Sequence, residues 1–378
     1  MNLEPTAEQR ELAAAASRFL VAELPVTSLG TGAGGARAHG ARAGAAAWQK
    51  MAALGWLAIG VPAEHGGAGG AIADQALLFR ELGRGLAPGP LLGTALGILI
   101  ATAGGRDDLA ASLMAGETTA ALAEPWRDPR ATVSASDGAS GRFRLLDIDG
   151  AALVTVLTAE GACLLQAGGV RLAAHELPAP DPAVPVSLAQ LSGVPAAVVL
   201  DSAEQARMIT SHGQVLCAAL LVGILEAVRD LSVAYVSTRE QFGKPIGSFQ
   251  AVKHRCADMA VRAEAAGSLL WLAALSLDEA ELGSAPGDSA TAGDSATAGD
   301  GATAGDGDSV EQMGARRLAA SVKALAAEYA VASAHDNVQN HGGMGFTAEC
   351  SAHWYVKRAL EWSATMGSPE ILLAEVAR

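Results

Sequence analysis

Charge is scarce in this chain. Only 17% of its 378 residues are charged, below the roughly 25% of an average soluble domain, while half are hydrophobic. Basic residues are the scarcer sign, with 26 lysines and arginines against 40 acidic residues and a net charge of −14. Without a basic stripe, nucleic acid and anionic membranes are poor partners. The composition therefore favours an acidic enzyme with long buried helices and a buried subunit interface.

The chain also lacks cysteine clusters and long apolar runs. Its cysteines show no CxxC pair and no cysteine–histidine group at zinc spacing, which predicts reduced, buried thiols and no metal site. The four are Cys163, Cys217, Cys256 and Cys350. Early acidic residues and a proline are not typical of a signal peptide, so none is expected at the N-terminus. The most apolar run, from Leu216, meets Glu226 after ten residues and is too short to cross a bilayer. We expect a soluble, cytoplasmic protein.

The hydrophobic pattern divides the chain into three regions. Residues 1–118 have helical periodicity and open with a capping box between Thr6 and Gln9. Short apolar runs separated by turn dipeptides predict a small antiparallel β-domain at residues 119–199. Long helical segments return at residues 200–378, and a break is expected in the first of them near Ser211. The sequence thus predicts a mostly α-helical protein with an N-terminal helical domain, a middle antiparallel β-domain and a C-terminal helical bundle.

Two glycine-rich segments carry little functional weight. Residues 30–35, GTGAGG, match the dinucleotide-binding pattern, but no strand precedes them and no acid follows at the required distance. Residues 287–309 form a nearly exact six-residue repeat of small and acidic residues. Such a repeat cannot bury enough surface to order itself, so a flexible loop is predicted at residues 284–309.

Two segments in the C-terminal half carry a family resemblance. They are REQFGKPIGSFQAVKHRCADMA, from Arg239, and VQNHGGMGFTAE, from Val338. With GWLAIGVPAEHGGAGG at 55–70, RELGRGLAPGP at 80–90 and LAEP at 122–125, they resemble the acyl-CoA dehydrogenase family over the whole chain. The resemblance implies an oxidoreductase that takes a proton and a hydride from adjacent carbons of an acyl thioester, with flavin adenine dinucleotide (FAD) as cofactor.

The resemblance further implies a set of residues that bind the ADP half of a flavin held mainly by the adjacent subunit. A guanidinium grips a pyrophosphate through two parallel hydrogen bonds, which suits Arg239 at the end of a long helix. Phe242 would share its face if the helix continued, and glycines permit close backbone approach. The plainer alternatives are an arginine paired with an acid on the bundle surface and an ordinary glycine-rich helix end. The implied cofactor-binding residues are Arg239, Phe242, Gln250, Gln339, Gly342, Gly343 and Gly345.

The segments that hold the flavin ring within one subunit depart from the family pattern. The usual T-E-P is Ala123-Glu124-Pro125 here, so a hydroxyl that would hydrogen-bond the ring is absent. The sequence WRDPRA follows, without the family's G-S-D, and we find no W-x-T. The part of the site that holds the flavin ring within one subunit is therefore expected to lack its usual hydrogen-bonding groups.

Neither of the two family positions for the catalytic base is acidic. One is Met366, whose thioether cannot accept a proton, and the other is Gly213 on the first helix of the C-terminal bundle. A correctly placed base is worth roughly 100- to 10,000-fold in rate. Glu361 offers a substitute, although a solvated helix carboxylate is the simpler interpretation, and Glu226 is expected to pair with Arg229. No catalytic residue is therefore identified.

The tail GFTAECSAHWYVKRA, from Gly345, resembles a narrower subgroup. It includes subunits of heterotetrameric, actinobacterial-type acyl-CoA dehydrogenases in which one subunit lacks the base and its partner supplies it. The leading interpretation is such a base-deficient subunit, which completes a partner's FAD site. Two alternatives stay open: a stand-alone flavoenzyme with a relocated base, and a non-catalytic subunit for acyl-thioester binding or assembly.

The resemblance also implies a set of partners. The substrate would be an acyl-CoA or acyl-carrier thioester, from fatty acid or sterol side-chain metabolism. A homologous subunit would carry the base, and an electron-transfer flavoprotein would accept the electrons. Neither nucleic acid nor a membrane is expected as a partner.

Overall fold

The computed structural model describes residues 4–29, 45–283 and 310–377. The segments at 30–35 and 287–309 that were discussed above lie outside these residues. The described helices are α1 (Ala7–Glu23), α2 (residues 45–53), α3 (Ile72–Arg84), α4 (Leu91–Ala103), α5 (Asp107–Met114), α6 (Ala167–Ala173), α7 (Ala203–Thr238), α8 (Gln250–Gly283), α9 (Val310–His341), α10 (Ala352–Ala364) and α11 (Pro369–Val376). The mostly α-helical fold class predicted from the sequence is confirmed.

Helices α1 and α3 of the N-terminal region pack against each other. The predicted capping box is confirmed, since the Thr6 hydroxyl accepts from the Gln9 amide at 3.2 Å while the Gln9 side chain accepts from the Thr6 amide at 2.8 Å. The side-chain NH₂ group of Gln9 donates to the carboxylate of Asp74 on α3 at 2.8 Å. The local helix-start signal therefore also fixes α1 against α3.

The middle region forms a mixed sheet rather than a purely antiparallel one. Its main strands are β1 (Ala120–Pro125), β2 (Thr132–Ser134), β3 (Gly138–Leu146), β4 (Leu153–Leu157), β5 (Ala162–Gln166), β6 (Ala174–Leu177), β7 (Val186–Val194) and β8 (Ala196–Leu200). The order is β6-β7-β3-β1-β4-β5-β8, with β2 paired to β3. Strands β1 and β4 are parallel, so the fully antiparallel prediction was wrong there. Turn dipeptides reveal hairpins between consecutive strands, but not the pairing of strands distant in sequence.

Helix α7 runs unbroken through the C-terminal bundle for 36 residues. The break predicted near Ser211 is wrong, because Ser211, His212 and Gly213 are all buried. The His212 ring nitrogen Nε2 lies 2.6 Å from Oε1 of Gln75 on α3. Tertiary packing of this kind stabilises a helix whose local sequence would favour a break.

Within the part of the chain that the structure describes, two helices are long and apolar enough to cross a membrane by length and composition alone, Ala203–Thr238 and Gln250–Glu281. The run from Leu216 was expected to be too short to cross a bilayer. The apolar stretch of α7 is longer than that run, because it includes further residues of the helix. The window in α7 is 89% buried within the protein, as expected for the central helix of a core. Among the cysteines, Cys256 and Cys350 are only half-buried, so the expectation of four buried thiols was wrong for these two.

Candidate functional site

A cleft of about 930 Å³ lies between the end of β1, the start of α7, α9 and the C-terminal segment. We call it the central cleft. Its wall contains Glu124 and Pro125 from the A-E-P segment together with Met366, Gly367 and Ser368. The structure thus brings together the two segments that the family resemblance assigned to the flavin ring and the catalytic base.

Met366 is held in place by its backbone as well as its side chain. Its φ of 58° lies in the left-handed region, uncommon for a residue with a side chain, and its amide donates to Glu124 Oε1 at 2.5 Å. The side chain is 4% exposed. A Cβ atom added to Gly213 would lie 2.5 Å from Met366 Cε and 3.0 Å from Leu96 Cδ1. The two positions that the family resemblance assigned to the base therefore face each other, and the thioether occupies the space between them.

Buried ion pairs surround the Met366 segment. Arg144 on β3 pairs with Glu361 and, at 3.3 Å, with Glu124. It also donates to the Thr365 hydroxyl at 3.2 Å. Burial raises the pKa of Glu361 and of Glu124, and the neighbouring Arg144 opposes the rise. Glu361 is only 2% exposed, so its interpretation as a solvated carboxylate was wrong: this face of α10 packs onto the sheet.

Lys323 contacts the loop between α10 and α11 on the side opposite Glu124. The ammonium group of Lys323 on α9 donates to the backbone oxygens of Ser363 at 3.2 Å and Gly367 at 3.1 Å. Burial lowers the pKa of Lys323. The loop between α10 and α11 is thus held by Lys323 on one side and by Glu124 on the other.

Glu226 does not pair with Arg229 as predicted. Its carboxylate lies 3.4 Å from Arg84 and 3.7 Å from Arg80, both on α3, while Arg229 pairs with Asp230 at 2.9 Å. Helix α3 packs along this face of α7 and brings two guanidinium groups to Glu226. Glu226 therefore forms its ion pairs with α3 and not within its own helix, α7.

The predicted cofactor-binding residues gather at the other end of α7. Arg239 follows directly after α7, and Gln250 is the first residue of α8. Phe242 lies between strands β9 (Glu240–Gln241) and β10 (Lys244–Pro245), with φ of 54° and 90% exposure. The helix therefore ends before Phe242, and the predicted helical face shared with Arg239 was wrong. The Phe242 ring instead packs edge-on against Phe249, with centroids 6.1 Å apart.

Three contacts hold the end of α9 beside these residues. The rings of Tyr235 and His341 stack with centroids 4.2 Å apart. The Ser232 hydroxyl donates to Asn337 Oδ1 at 2.8 Å, and a contact of the same length joins Arg255 to Asn340. The ends of α7 and α9 and the start of α8 therefore form one rigid corner.

Gln339 and the glycine turn are presented at this corner. Gln339, Gly342 and Gly343 are exposed, and an added Cβ atom at either glycine would meet no protein atom within 4 Å. Gly345 is instead buried, with the oxygen of Val338 2.6 Å from where its Cβ would lie, so packing within the chain explains that glycine. We call the exposed set the trans surface: Arg239, Phe242, Gln250, Gln339, Gly342 and Gly343.

The trans surface and the central cleft are far apart. Gln214 lines the cleft and Arg239 follows the last residue of the same helix. They are 25 positions apart along the chain, about 37 Å at the helical rise of 1.5 Å per residue. One extended FAD molecule is shorter than this distance. Within a single chain the two sets of residues therefore belong to different sites.

Comparisons with known proteins decide the family. Residues 6–113 match the acyl-CoA dehydrogenase N-terminal domain, and residues 203–292 and 298–378 match the acyl-CoA dehydrogenase C-terminal domain. The chain belongs to the acyl-CoA dehydrogenase family. Members of this flavoprotein family are FAD-dependent oxidoreductases that act on CH–CH bonds.

Two relatives from Mycobacterium tuberculosis illustrate the relationship. The chain is 33% identical to acyl-CoA dehydrogenase FadE34 over 82% of its own length but only 38% of FadE34. It is 32% identical to acyl-CoA dehydrogenase IpdE2 over 85% of its own length and 81% of IpdE2. This acyl-CoA dehydrogenase family member thus spans most of one relative and well under half of the other.

Solved structures share the fold of this family member at lower identity. The ChsE4-ChsE5 complex from Mycobacterium tuberculosis matches with a TM-score of 0.76 and 22% identity over 100% of this chain and 98% of that one. A structure of PigA with FAD and proline matches with a TM-score of 0.76 and 20% identity, also over 100% and 98%. At these identities the likeness shows the fold alone.

The two parts of the molecule fit FAD differently. The trans surface offers a cation, amides and bare glycine backbone to the outside, which suits the ADP half of the cofactor. Next to the central cleft, the buried residue Ala123 supplies no hydroxyl, and Trp126 and Arg127 follow the A-E-P segment in the cleft wall. The residues present thus fit the outer half of a flavin site better than its ring half.

Sequence reasoning missed the roles of several residues in the cleft. Glu124 was considered only as the neighbour of a lost threonine, although it fixes the backbone of Met366. Also missed were the arginines that line the cleft: Arg127, Arg144, Arg207, Arg316 and Arg317. They come from four separate elements, and no local motif signals that they converge.

Proposed function

We propose that this chain is the base-deficient subunit of a hetero-oligomeric, FAD-dependent acyl-CoA dehydrogenase and completes the FAD site of a homologous partner. One observation carries the proposal: the residues that would act on another subunit are exposed at one rigid corner, while a buried thioether fills the space between the two base positions. The ChsE4-ChsE5 complex, which shares this fold, supports pairing between members of the family.

Five of the six residues of the trans surface have a stated role in this proposal. The guanidinium of Arg239 would donate to the cofactor's pyrophosphate, and the amides of Gln250 and Gln339 would hydrogen-bond its ADP half. The backbone at Gly342 and Gly343 would approach it closely. The chemistry that FAD would supply when bound is hydride acceptance, whereas the carboxylate that accepts the proton would come from the partner.

The partner is tested by purifying the chain alone and together with a family member encoded beside it. We expect the flavin absorption spectrum and dehydrogenase turnover with electron-transfer flavoprotein as acceptor to appear only in the complex. The isolated chain should contain little flavin and show no turnover. Full flavin loading with turnover by the isolated chain would contradict the proposal.

Arg239→Gln tests the trans surface itself. Because a charge-assisted hydrogen bond contributes about 1.5–3 kcal/mol, FAD affinity of the complex should fall about tenfold or more. Arg18→Gln is the matched control, since Arg18 pairs with Glu11 on the exposed side of α1 and should leave affinity unchanged. Flavin content after gel filtration measures both variants, and equal retention by the two would count against the assignment.

A stand-alone flavoenzyme remains the second candidate, and its base would be Glu124 rather than Glu361. Glu124 lines the cleft, and burial raises its pKa, as suits a general base. Its carboxylate already accepts from Met366 and Arg144, which favours a structural role. Turnover by the isolated chain that Glu124→Gln abolishes would establish this second function.

A further inference from the structure

Helices α7 and α9 are joined at two points just before the exposed residues of the trans surface. The Ser232 hydroxyl on α7 donates to Oδ1 of Asn337 on α9 at 2.8 Å, and both residues are fully buried. One turn further along each helix, the rings of Tyr235 and His341 stack with centroids 4.2 Å apart and an angle of 24° between their planes. Residues three and four apart share one face of a helix, so the two contacts act as a single two-point attachment.

Asn337 takes part in both halves of this attachment. Its side chain binds Ser232, and its backbone oxygen lies 2.8 Å from Nδ1 of His341. A carbonyl oxygen only accepts hydrogen bonds, so Nδ1 carries the hydrogen and donates it. A hydrogen bond at one ring nitrogen fixes the tautomer and the orientation of an imidazole. The His341 ring is therefore oriented by its own helix and presented to Tyr235 on α7.

The attachment leads directly to the trans surface on both sides. The backbone amide of Arg239 donates to the backbone oxygen of Tyr235 at 2.9 Å. On the other helix, His341 is the last residue of α9, and Gly342 follows it with φ of 60°. Arg239 and the glycine turn are thus each connected through one backbone step to a member of the stacked pair.

We propose that Tyr235 and His341 are positioning residues for the trans surface. Their stack sets the distance between the guanidinium of Arg239 and the glycine turn after α9, so that both bind one cofactor molecule. This inference rests on the proposed function, in which the trans surface completes the FAD site of a partner. Groups that are already correctly spaced bind a shared ligand more tightly, because less ordering has to occur on binding.

The stacked pair lies at the margin of the protein core and not within it. Tyr235 and His341 are both half-buried, whereas α9 carries fully buried alanines further back, among them Ala326, Ala327 and Ala330. Those residues hold α9 in the bundle whether or not the stack is present. Loss of the stack should therefore alter the spacing at the corner much more than the stability of the whole protein.

Hydrogen exchange tests the geometric part on the isolated chain, without partner or cofactor. Tyr235→Leu and His341→Ala should each raise the exchange rates of backbone amides at residues 239–243 and 342–347 about threefold or more, because the helix ends then open more often. Tyr235→Phe keeps the ring and should exchange like the unaltered chain. His335→Ala is the matched control, since His335 is exposed on the same helix.

Titration of FAD into the flavin-free complex, followed by fluorescence, tests the functional part. Tyr235→Leu and His341→Ala should each weaken FAD binding about threefold or more, whereas Tyr235→Phe and His335→Ala should bind like the unaltered complex. In a chain that already carries Arg239→Gln, His341→Ala should cost less than it does alone. The reason is that a residue that acts by placing a guanidinium has less effect once that guanidinium is gone.

The possible failures are distinguishable. Unchanged hydrogen exchange in Tyr235→Leu and His341→Ala would overturn the inference, and so would losses of FAD affinity that simply add to that of Arg239→Gln, since they would assign the pair to packing alone. If Arg239→Gln weakens FAD binding while the two stack variants do not, only this inference fails. If Arg239→Gln itself leaves FAD affinity unchanged, the proposed function fails and the inference fails with it.

Discussion

Single residues decide much of the chemistry, and Met366 is the clearest case. The family resemblance places this thioether at a position where a catalytic base is usual. The structure adds that Met366 packs against Gly213, more than 150 residues earlier in the sequence, and that Glu124 holds its amide at 2.5 Å. The absence of a carboxylate at these two positions thus goes together with close packing, in which a glycine on α7 makes room for the methionine.

Asp147 gives a prediction at the same scale. It has φ of 58°, and burial raises its pKa to about 7, with Arg358 opposing the rise and Glu361, Asp181 and Asp149 adding to it. The unfolded chain loses this proton near pH 4, whereas the folded protein keeps it until about pH 7. Stability from this group is thus lost as pH rises between those values.

Asp147→Asn should remove that loss, and asparagine tolerates the left-handed backbone well. We expect the variant to gain more stability over the unaltered chain at pH 8 than at pH 5, from urea unfolding midpoints at the two values. Asp201→Asn, at an exposed position before α7, should give the same small change at both. An equal gain from Asp147→Asn at both pH values would rule out the buried carboxyl as the cause.

At the scale of elements, α7 organises the molecule. Its first half lines the central cleft, its middle packs against α3, and its end carries Arg239. Helices α3 and α7 approach closely because a glycine on each helix faces the backbone of the other. A Cβ atom at Gly223 would lie 1.9 Å from the backbone oxygen of Arg80, and one at Gly83 would lie 2.1 Å from the backbone oxygen of Leu220. Neither glycine can gain a side chain without separating the helices.

Gly223→Ala should therefore destabilise the protein by about 1–3 kcal/mol, the usual cost of overpacking. Gly267→Ala on α8 is the control, because its new methyl group would meet only Val222 Cγ1 at 3.9 Å. That change should be neutral or stabilise by up to about 1 kcal/mol through helix propensity. Chemical denaturation compares the two, and equal effects would show that the close contact is unimportant.

At the scale of the whole molecule, Arg358 connects the three regions. From α10 it pairs with Asp181, in the loop between β6 and β7, at 2.5 Å. It also donates to the oxygen of Ala87, between α3 and α4, at 3.0 Å. Both Arg358 and Asp181 are buried, so the N-terminal helices, the sheet and the C-terminal bundle meet at one guanidinium group.

Arg358→Met should cost about 3–5 kcal/mol, because it leaves the Asp181 carboxylate buried without its partner. Arg18→Met, which breaks an exposed pair with Glu11, should change stability little. Guanidinium chloride unfolding midpoints measure both. A small effect of Arg358→Met would show that the connection between the regions does not depend on this pair.

The sequence by itself determined the fold class, the family and the lack of a carboxylate at Met366 and Gly213, because periodicity, motifs and side-chain chemistry are local properties. It also placed Arg239 at the end of a long helix, but it did not predict the turn at Phe242 that follows. Only the tertiary structure decided that Glu361 is buried against Arg144, that Glu226 pairs across to α3, and that arginines from separate elements converge on one cleft. These contacts depend on which faces of distant elements meet. A single sequence does not determine how one helix is positioned along another.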